Sequence, residues 1–234
     1  MKCKKTAIQR FETLPSTSDY AKEKRAEKQD LIVVAKRQTS GRGTKGRSFD
    51  STLGGLYVSI LTFPKKLPTK YAFRIMQTTA TAVCETLKIF GVNPQIKWPN
   101  DILVNGKKIC GILIENTFSG ELVSSCIVGI GINVFNVLPD ELKEIATTLE
   151  EVIGEKIAVE EVEKILLKKL SKATIWRKYP QYVGFIGEDV KLLCGEKEIF
   201  AKVLGVDDEG NLLAKTANGE EKFSSAEVSL RGGK

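Results

Sequence analysis

The sequence predicts an α/β (α+β) protein in two parts, a larger lobe of mixed sheet and helices followed by a small all-β module. Three observations carry that prediction. Short β-branched runs alternate with segments whose apolar residues recur at helical spacing. The dipeptide Asn105-Gly106 separates two strand-like runs, which is the strongest short-range signal for a β-hairpin. Residues 189–230 are short strands punctuated by turns at 207–210 and at Asn218-Gly219, the pattern of a small barrel.

The elements follow in order. Residues 18–28 (SDYAKEKRAEK) form a polar helix behind a Ser/Thr cap. Residues 31–35 (LIVVA) form a buried strand that runs directly into the glycine-rich QTSGRGTKGR, and residues 56–61 (LYVSIL) form a second strand. Residues 72–90 place Phe73, Met76, Ala80, Val83 and Leu87 at helical spacing and stop at Gly91, a glycine C-cap. Residues 102–104 and 107–115 are the arms of the hairpin, and residues 123–130 form another strand ending in the glycines of GIGIN. Two helices are expected at about 140–152 and 159–179. Pro180 and Gly184 then mark a boundary between domains at 1–184 and 185–234.

Composition narrows the chemistry. The chain has 234 residues, long for one average domain, and no histidine. Without histidine there is no Ser-His-Asp or Cys-His machinery and no HExxH zinc site. Carboxylates, amines, backbone dipoles or an oxygen-held metal must serve instead. The five cysteines are scattered and form no CxxC pair, so neither a disulfide framework nor a zinc site is suggested. No apolar run reaches the ~18–20 residues of a membrane span, and the lysine-rich start has no apolar stretch behind it. A reduced, cytoplasmic setting without membrane attachment is expected. The formal charge of +7 is spread along the chain, with one concentration between Arg42 and Arg47. No helix-turn-helix or RNP motif accompanies it, so a phosphate-bearing small ligand accounts for that cluster better than nucleic acid does.

Two segments carry chemistry. GRGTKGR, residues 41–47, interleaves three glycines with Arg42, Lys45 and Arg47 after a strand. Such a loop turns backbone N–H groups and cations toward an anion, although a solvated surface loop would read the same way. It is neither a Walker loop nor a GxGxxG that opens a helix. KWPND, residues 97–101, restricts the backbone at Pro99 and sets Asp101 at the start of a hairpin strand. An Asx-turn before a strand is the plainer account of Asn100. Across the hairpin, Leu103 or Val104 faces Lys107 and Lys108, which brings Asp101 and Lys108 close without opposing them directly. A strand lysine can also be a mere edge gatekeeper, which fits Lys107 better than Lys108.

SGRGTKGRSF, GGLYVSI, KWPNDILVNGKKICGILIE and GIGINV occur in that order, and together they resemble the catalytic domain of biotin–protein ligases. The stretch from VKLLCGEKEIF to AEVSLR is similar to that family's small C-terminal domain. The resemblance implies a class II aminoacyl-tRNA-synthetase-like catalytic domain followed by an SH3-like β-barrel. It begins at PSTSDY, leaving no room for a winged-helix module, so no specific nucleic acid is expected as a partner. On the biotin side it implies Ser16, Thr17, Ser18, Gln38, Arg42, Gly43, Thr44 and Lys108. Gly111, Gly129 and Gly131 would line the pocket where a side chain would collide with ligand. On the ATP and adenylate side it implies Arg42, Arg47, Phe49, Lys97, Asn100, Asn133 and Arg231. Lys108, Arg42 and Asp101 would be the catalytic set, with Asp101 and Asn133 near Mg²⁺. Three positions depart from the family: Ser18 replaces an asparagine, Thr44 a second loop arginine, and Phe49 a tryptophan beside the adenine.

The implied reaction uses ATP to activate biotin as biotinyl-5′-AMP. The biotin then passes to a lysine of a biotin carboxyl carrier protein. Histidine is dispensable, because the first nucleophile is already ionised and the barrier is mainly repulsion between anions. A lipoate-type acyl ligase and a non-catalytic biotin or nucleotide sensor are the competing readings, and a homodimer remains open.

Overall fold

The computed structural model describes residues 6–172, 174–195, 197–224 and 228–232. Its larger sheet has seven strands: β1 (Ala7–Leu14), β2 (Leu31–Gln38), β3 (Leu56–Thr62), β4 (Gln95–Lys97), β5 (Asp101–Val104), β6 (Lys107–Ser119) and β7 (Leu122–Ile132). They lie in the order β1-β2-β3-β7-β6-β5-β4, with β1 parallel to β2 and every other neighbour antiparallel. β2 is buried on both faces through its LIVVA run, which explains why that run is apolar without alternation.

Each face has its own helices. Strand residues of one parity, such as Ile32, Val58, Ile60, Val128 and Ile130, join the main core with α2 (Phe73–Leu87) and α4 (Val159–Leu170). Residues of the other parity, Leu31, Val33, Leu61 and Ile127, pack with Ala21 of α1 (Thr17–Glu23). The period of two along a strand thus separates a core face from the face that bears the cavity. α2 continues as a short 3-10 turn to Phe90 and ends at Gly91, whose φ of 79° is the left-handed cap the sequence indicates. The hairpin turn also forms as expected, with Asn105 at φ 51° and Gly106 at 79°, the positive values of a tight two-residue loop.

The C-terminal strands β8 (Asp189–Cys194), β9 (Lys197–Val206), β10 (Leu212–Thr216), β11 (Gly219–Phe223) and β12 (Val228–Gly232) form an antiparallel sheet ordered β11-β10-β9-β8-β12. Its apolar side is completed from the larger lobe. Trp98, 2% exposed, packs with Val190, Leu192, Val203 and Leu212, and its indole N–H donates to the Gly210 carbonyl at 3.0 Å. The peptide bond after it, Trp98–Pro99, is cis.

Several expectations need correction. The helix expected at 140–152 is a 3-10 turn at Asp140–Leu142 and a short α3 (Leu149–Ile153). Between them the backbone is bonded sideways: Lys108 N donates to Ile145 O and Thr147 N to Lys108 O, both at 2.9 Å. Those groups are then not free for a helical ladder. α3 begins instead at a capping box between Thr148 and Glu151. The helix expected at 159–179 stops at Leu170, and Ile175–Gln181 is a 3-10 turn containing Pro180, which has no N–H to donate. The polar helix expected at 18–28 is α1 followed by a 3-10 turn at Lys24–Glu27. β1 was not foreseen, because this edge strand is mostly exposed and shows no buried alternation. Among the described residues, no helix is long and apolar enough to cross a membrane.

Candidate active site

Residues paired across neighbouring strands project to the same face. Tyr57 of β3 pairs with Gly131 of β7, Gly131 with Gly111 of β6, and Gly111 with Asp101 of β5. Ser59, Gly129 and Leu113 make the next row. The glycines leave a trough in the sheet face, and it is occupied from within the chain. A Cβ at Gly131 would lie 2.5 Å from the Phe49 ring, one at Gly111 3.0 Å from it, and one at Gly129 2.8 Å from the Ser18 hydroxyl. Tyr57 closes the end of the trough edge-on to Phe49, with ring centroids 6.4 Å apart. A cavity open at its mouth rises above this floor.

One end of the cavity is a network of neutral hydrogen bonds. Thr17 N and Oγ1 donate to Gln38 Oε1 at 2.7 and 3.0 Å, and Gln38 Nε2 donates to Ser51 Oγ at 2.8 Å. Thr17 Oγ1 and Ser18 Oγ both meet the buried Ser59 hydroxyl, at 2.8 and 2.9 Å. Ser16 is placed differently from Thr17 and Ser18. Its hydroxyl accepts Asp19 N at 3.2 Å as the N-cap of α1, and it does not line the cavity.

The other end is charged. Lys108 Nζ lies 2.7 Å from Asp101 Oδ1 and 5.8 Å from the centre of the Phe49 ring. The register is the one the hairpin implies, Leu103 opposite Lys108 and Asp101 opposite Gly111, with a bulge between Ile102 and Leu103. Asn100 Nδ2 donates to Asp101 Oδ1 at 3.2 Å and to the Ile112 carbonyl at 3.1 Å. Asn133 lines the wall, but both ends of its amide are engaged: Nδ2 gives to Thr147 O at 3.2 Å and Oδ1 takes Asn136 Nδ2 at 3.3 Å.

The glycine-rich loop crosses the mouth. Arg42 and Ser48 bridge in antiparallel fashion, Gly43 N donates to Arg47 O at 2.6 Å, and Lys45 has a left-handed φ of 56°. Arg42, Gly43, Thr44 and Arg47 all line the cavity. The Arg42 guanidinium is held by Asp19 and Glu115. Burial works against its charge, yet the two carboxylates outweigh that and raise its pKa. One further expected residue stands apart. Lys97, on β4, is not part of the cavity wall. Arg231 lies on β12 with its backbone opposite Lys191, outside the residues whose side chains are described.

Sequence reasoning missed Ser59, Asp50 and the wall made by Leu138, Leu142, Ile145 and Ala146. Ser59 did leave a trace, as the one polar residue inside LYVSIL. The wall left none, because it is shaped by long-range bonds to Lys108.

Known proteins match this arrangement. Residues 10–133 match the Biotin/lipoate A/B protein ligase family, and residues 185–231 match the Biotin protein ligase C terminal domain. The chain belongs to the biotin/lipoate A/B protein ligase family. Within that family, its relatives and its C-terminal domain place it with the biotin protein ligases. The bifunctional ligase/repressor BirA of Bacillus subtilis is 37% identical over an alignment of 214 residues that covers 85% of this chain and 66% of that relative. The chain thus spans just under two thirds of that protein's length. The biotin–[acetyl-CoA-carboxylase] ligase of Paracoccus denitrificans is 28% identical over 218 residues, 86% of this chain and 90% of that one. The Aquifex aeolicus biotin protein ligase in complex with biotin and ATP superposes with a TM-score of 0.82 at 34% identity, covering 98% of this chain and all of that one.

Proposed function

We propose that the chain joins biotin to ATP, forming biotinyl-5′-AMP and pyrophosphate, and then transfers the biotinyl group to a lysine of a biotin carboxyl carrier protein, releasing AMP. The observation that carries this reading is the Lys108–Asp101 pair at one end of a cavity whose other end is the Thr17–Gln38 network. A neutral hydrogen-bonding end suits the ureido head of biotin, and an end whose Lys108 can turn from Asp101 to an incoming anion suits the carboxylate and the phosphate it attacks. The C-terminal match and the named relatives favour biotin over lipoate.

Lys108 neutralises charge as two anions approach, which lowers a barrier made mainly of their repulsion. Phe49, seated over Gly131 and Gly111, offers a flat face beside which an adenine can stack. In the second step Asp101 takes the proton that the acceptor ammonium must lose before its nitrogen attacks. Thr17, Ser18 and Gln38 hold the biotin head, and Asn100 orients Asp101. The division at residues 184 and 185 belongs to the same reading, supported by a C-terminal match that begins at 185.

Mg²⁺, when bound with ATP, would supply charge neutralisation at the phosphates. It takes hard oxygen ligands, often one or two carboxylates plus phosphate and water. Asp101 fits that set, since both of its protein contacts fall on the same oxygen. Asn133 does not, because its amide is bonded at both ends.

The test is pyrophosphate release on mixing the chain with biotin and ATP, followed by label transfer to a carrier domain. Release that requires biotin supports the reading. Release with lipoate but not biotin would move the chain to the other branch of the family, and no release with either would leave a binding protein.

A further inference from the structure

Arg42 joins three elements that are remote in sequence. Its Nη1 donates to Asp19 Oδ1 at 2.6 Å and to Glu115 Oε2 at 3.2 Å, and its Nη2 donates to Glu115 Oε1 at 3.1 Å. Asp19 sits in the first turn of α1, Glu115 on β6, and Arg42 on the loop across the cavity mouth. The contact to Glu115 is the bidentate fork that gives a guanidinium–carboxylate pair both strength and direction.

The charges do not suit a phosphate site at this point. One guanidinium faces two carboxylates, so the group is acidic as a whole and does not attract another anion strongly. Its mechanical connection is more informative. Phe49 N donates to Gly41 O at 2.9 Å, and Arg42 bridges Ser48, so the two limbs of the loop are tied together. If Arg42 lets go, the limb carrying Phe49 loses its tether, and Phe49 is the ring that fills the glycine trough.

We infer that Asp19 and Glu115 are positioning residues. Through Arg42 they latch the loop over the cavity and set how long the acyl-adenylate stays bound. This rests on the ligase reading and names a control on it.

The experiment uses the full chain with Glu115→Gln and, separately, Asp19→Asn. Three quantities are read: pyrophosphate release at saturating biotin and ATP, escape of preformed biotinyl-5′-AMP into filtrate, and tryptic cleavage after Lys45 and Arg47 in the ligand-free chain. Loss of one charge-assisted contact should speed adenylate escape and loop cleavage by about 5–30-fold, while pyrophosphate release at saturation changes less than about twofold. Unchanged cleavage and escape in both variants, with melting temperature preserved, overturns the latch. A fall in pyrophosphate release at saturation as large as the gain in escape also overturns it, because the carboxylates would then act in the chemistry. Failure of the wild type to form adenylate at all sinks the ligase reading, and the cleavage arm still judges the latch.

Discussion

Asp101 and Glu85 both hold lysines, but they are finished differently. Glu85 of α2 accepts Lys169 at 3.3 Å, Lys178 at 2.9 Å and the Tyr182 hydroxyl at 2.7 Å, and its side chain is 17% exposed. Burial pushes its carboxyl up, but hydrogen bonds from Lys178, Tyr182 and Lys169 outweigh that and hold its pKa at about 2. These bonds tie α2 to α4 and to the turn before Gly184, away from the cavity. Asp101 has one lysine and one amide, both on the same oxygen, and it and Lys108 are 28% and 34% exposed. A carboxylate with every donor in place is a fastener. One left with spare acceptor capacity inside a cavity can trade its lysine to an incoming anion. Exposure and coordination, rather than the identity of the pair, separate the two uses.

Substitutions can break or sharpen that contrast. The largest effect expected is from Lys108→Ala. Removing one charge-stabilising group should slow pyrophosphate release by on the order of 10²–10³ with the thermal transition little changed. An unaltered rate would mean that the Asp101 pair is only another fastener.

Glu85→Gln should do the reverse, costing on the order of 2 kcal/mol of stability while sparing activity per folded molecule. Because the folded pKa lies below the ordinary value of 4.5, this stabilisation is present above that value and is lost as pH falls toward about 2. Acid titration of the two proteins, followed by circular dichroism, should show the wild type converging on the variant across that window. Parallel curves would refute the assignment.

A smaller effect is expected from Thr44→Arg. Threonine offers a neutral hydroxyl where an arginine would give a charge-assisted bond, so the variant should release preformed adenylate about 5–30-fold more slowly, or ~1–2 kcal/mol. Equal release rates would show that position 44 does not touch the intermediate. Lys107→Ala removes an exposed bond to the Lys143 carbonyl and should alter stability by less than about 0.5 kcal/mol, with activity intact. A larger loss of activity would extend the charged end of the site beyond Lys108.

What could be read from the sequence is what local chemistry decides. Asn105-Gly106, Gly91 and the LIVVA run each declare themselves through backbone preference or apolar content, and each appears where it was read. Asp101 and Lys108 were placed near one another by the hairpin alone, and they form an ion pair. Ser16 caps α1 and does not line the cavity, a distinction the sequence does not carry, because a capping hydroxyl and a ligand-facing one share the same residue type. The wall around Ile145 and the contact of Glu115 with Arg42 were out of reach, since both depend on pairings across long separations in the chain. The occupant of the trough was hidden for the same reason: glycines announce that space is needed, not which ring will fill it.

Trp98 gives the molecule an optical property. The chain has two tryptophans, and only Trp98 is buried where the C-terminal sheet meets the larger lobe. Trp176 is half-buried near the guanidinium groups of Arg74 and Arg177. With Trp176→Phe, emission would come from an indole whose N–H is bonded to the Gly210 carbonyl and whose ring is packed among aliphatic side chains. Its colour would be blue while the C-terminal sheet is docked and red once water reaches the ring. Fluorescence would then follow the junction between the lobes without an added dye, from within the same KWPND segment that carries Asp101.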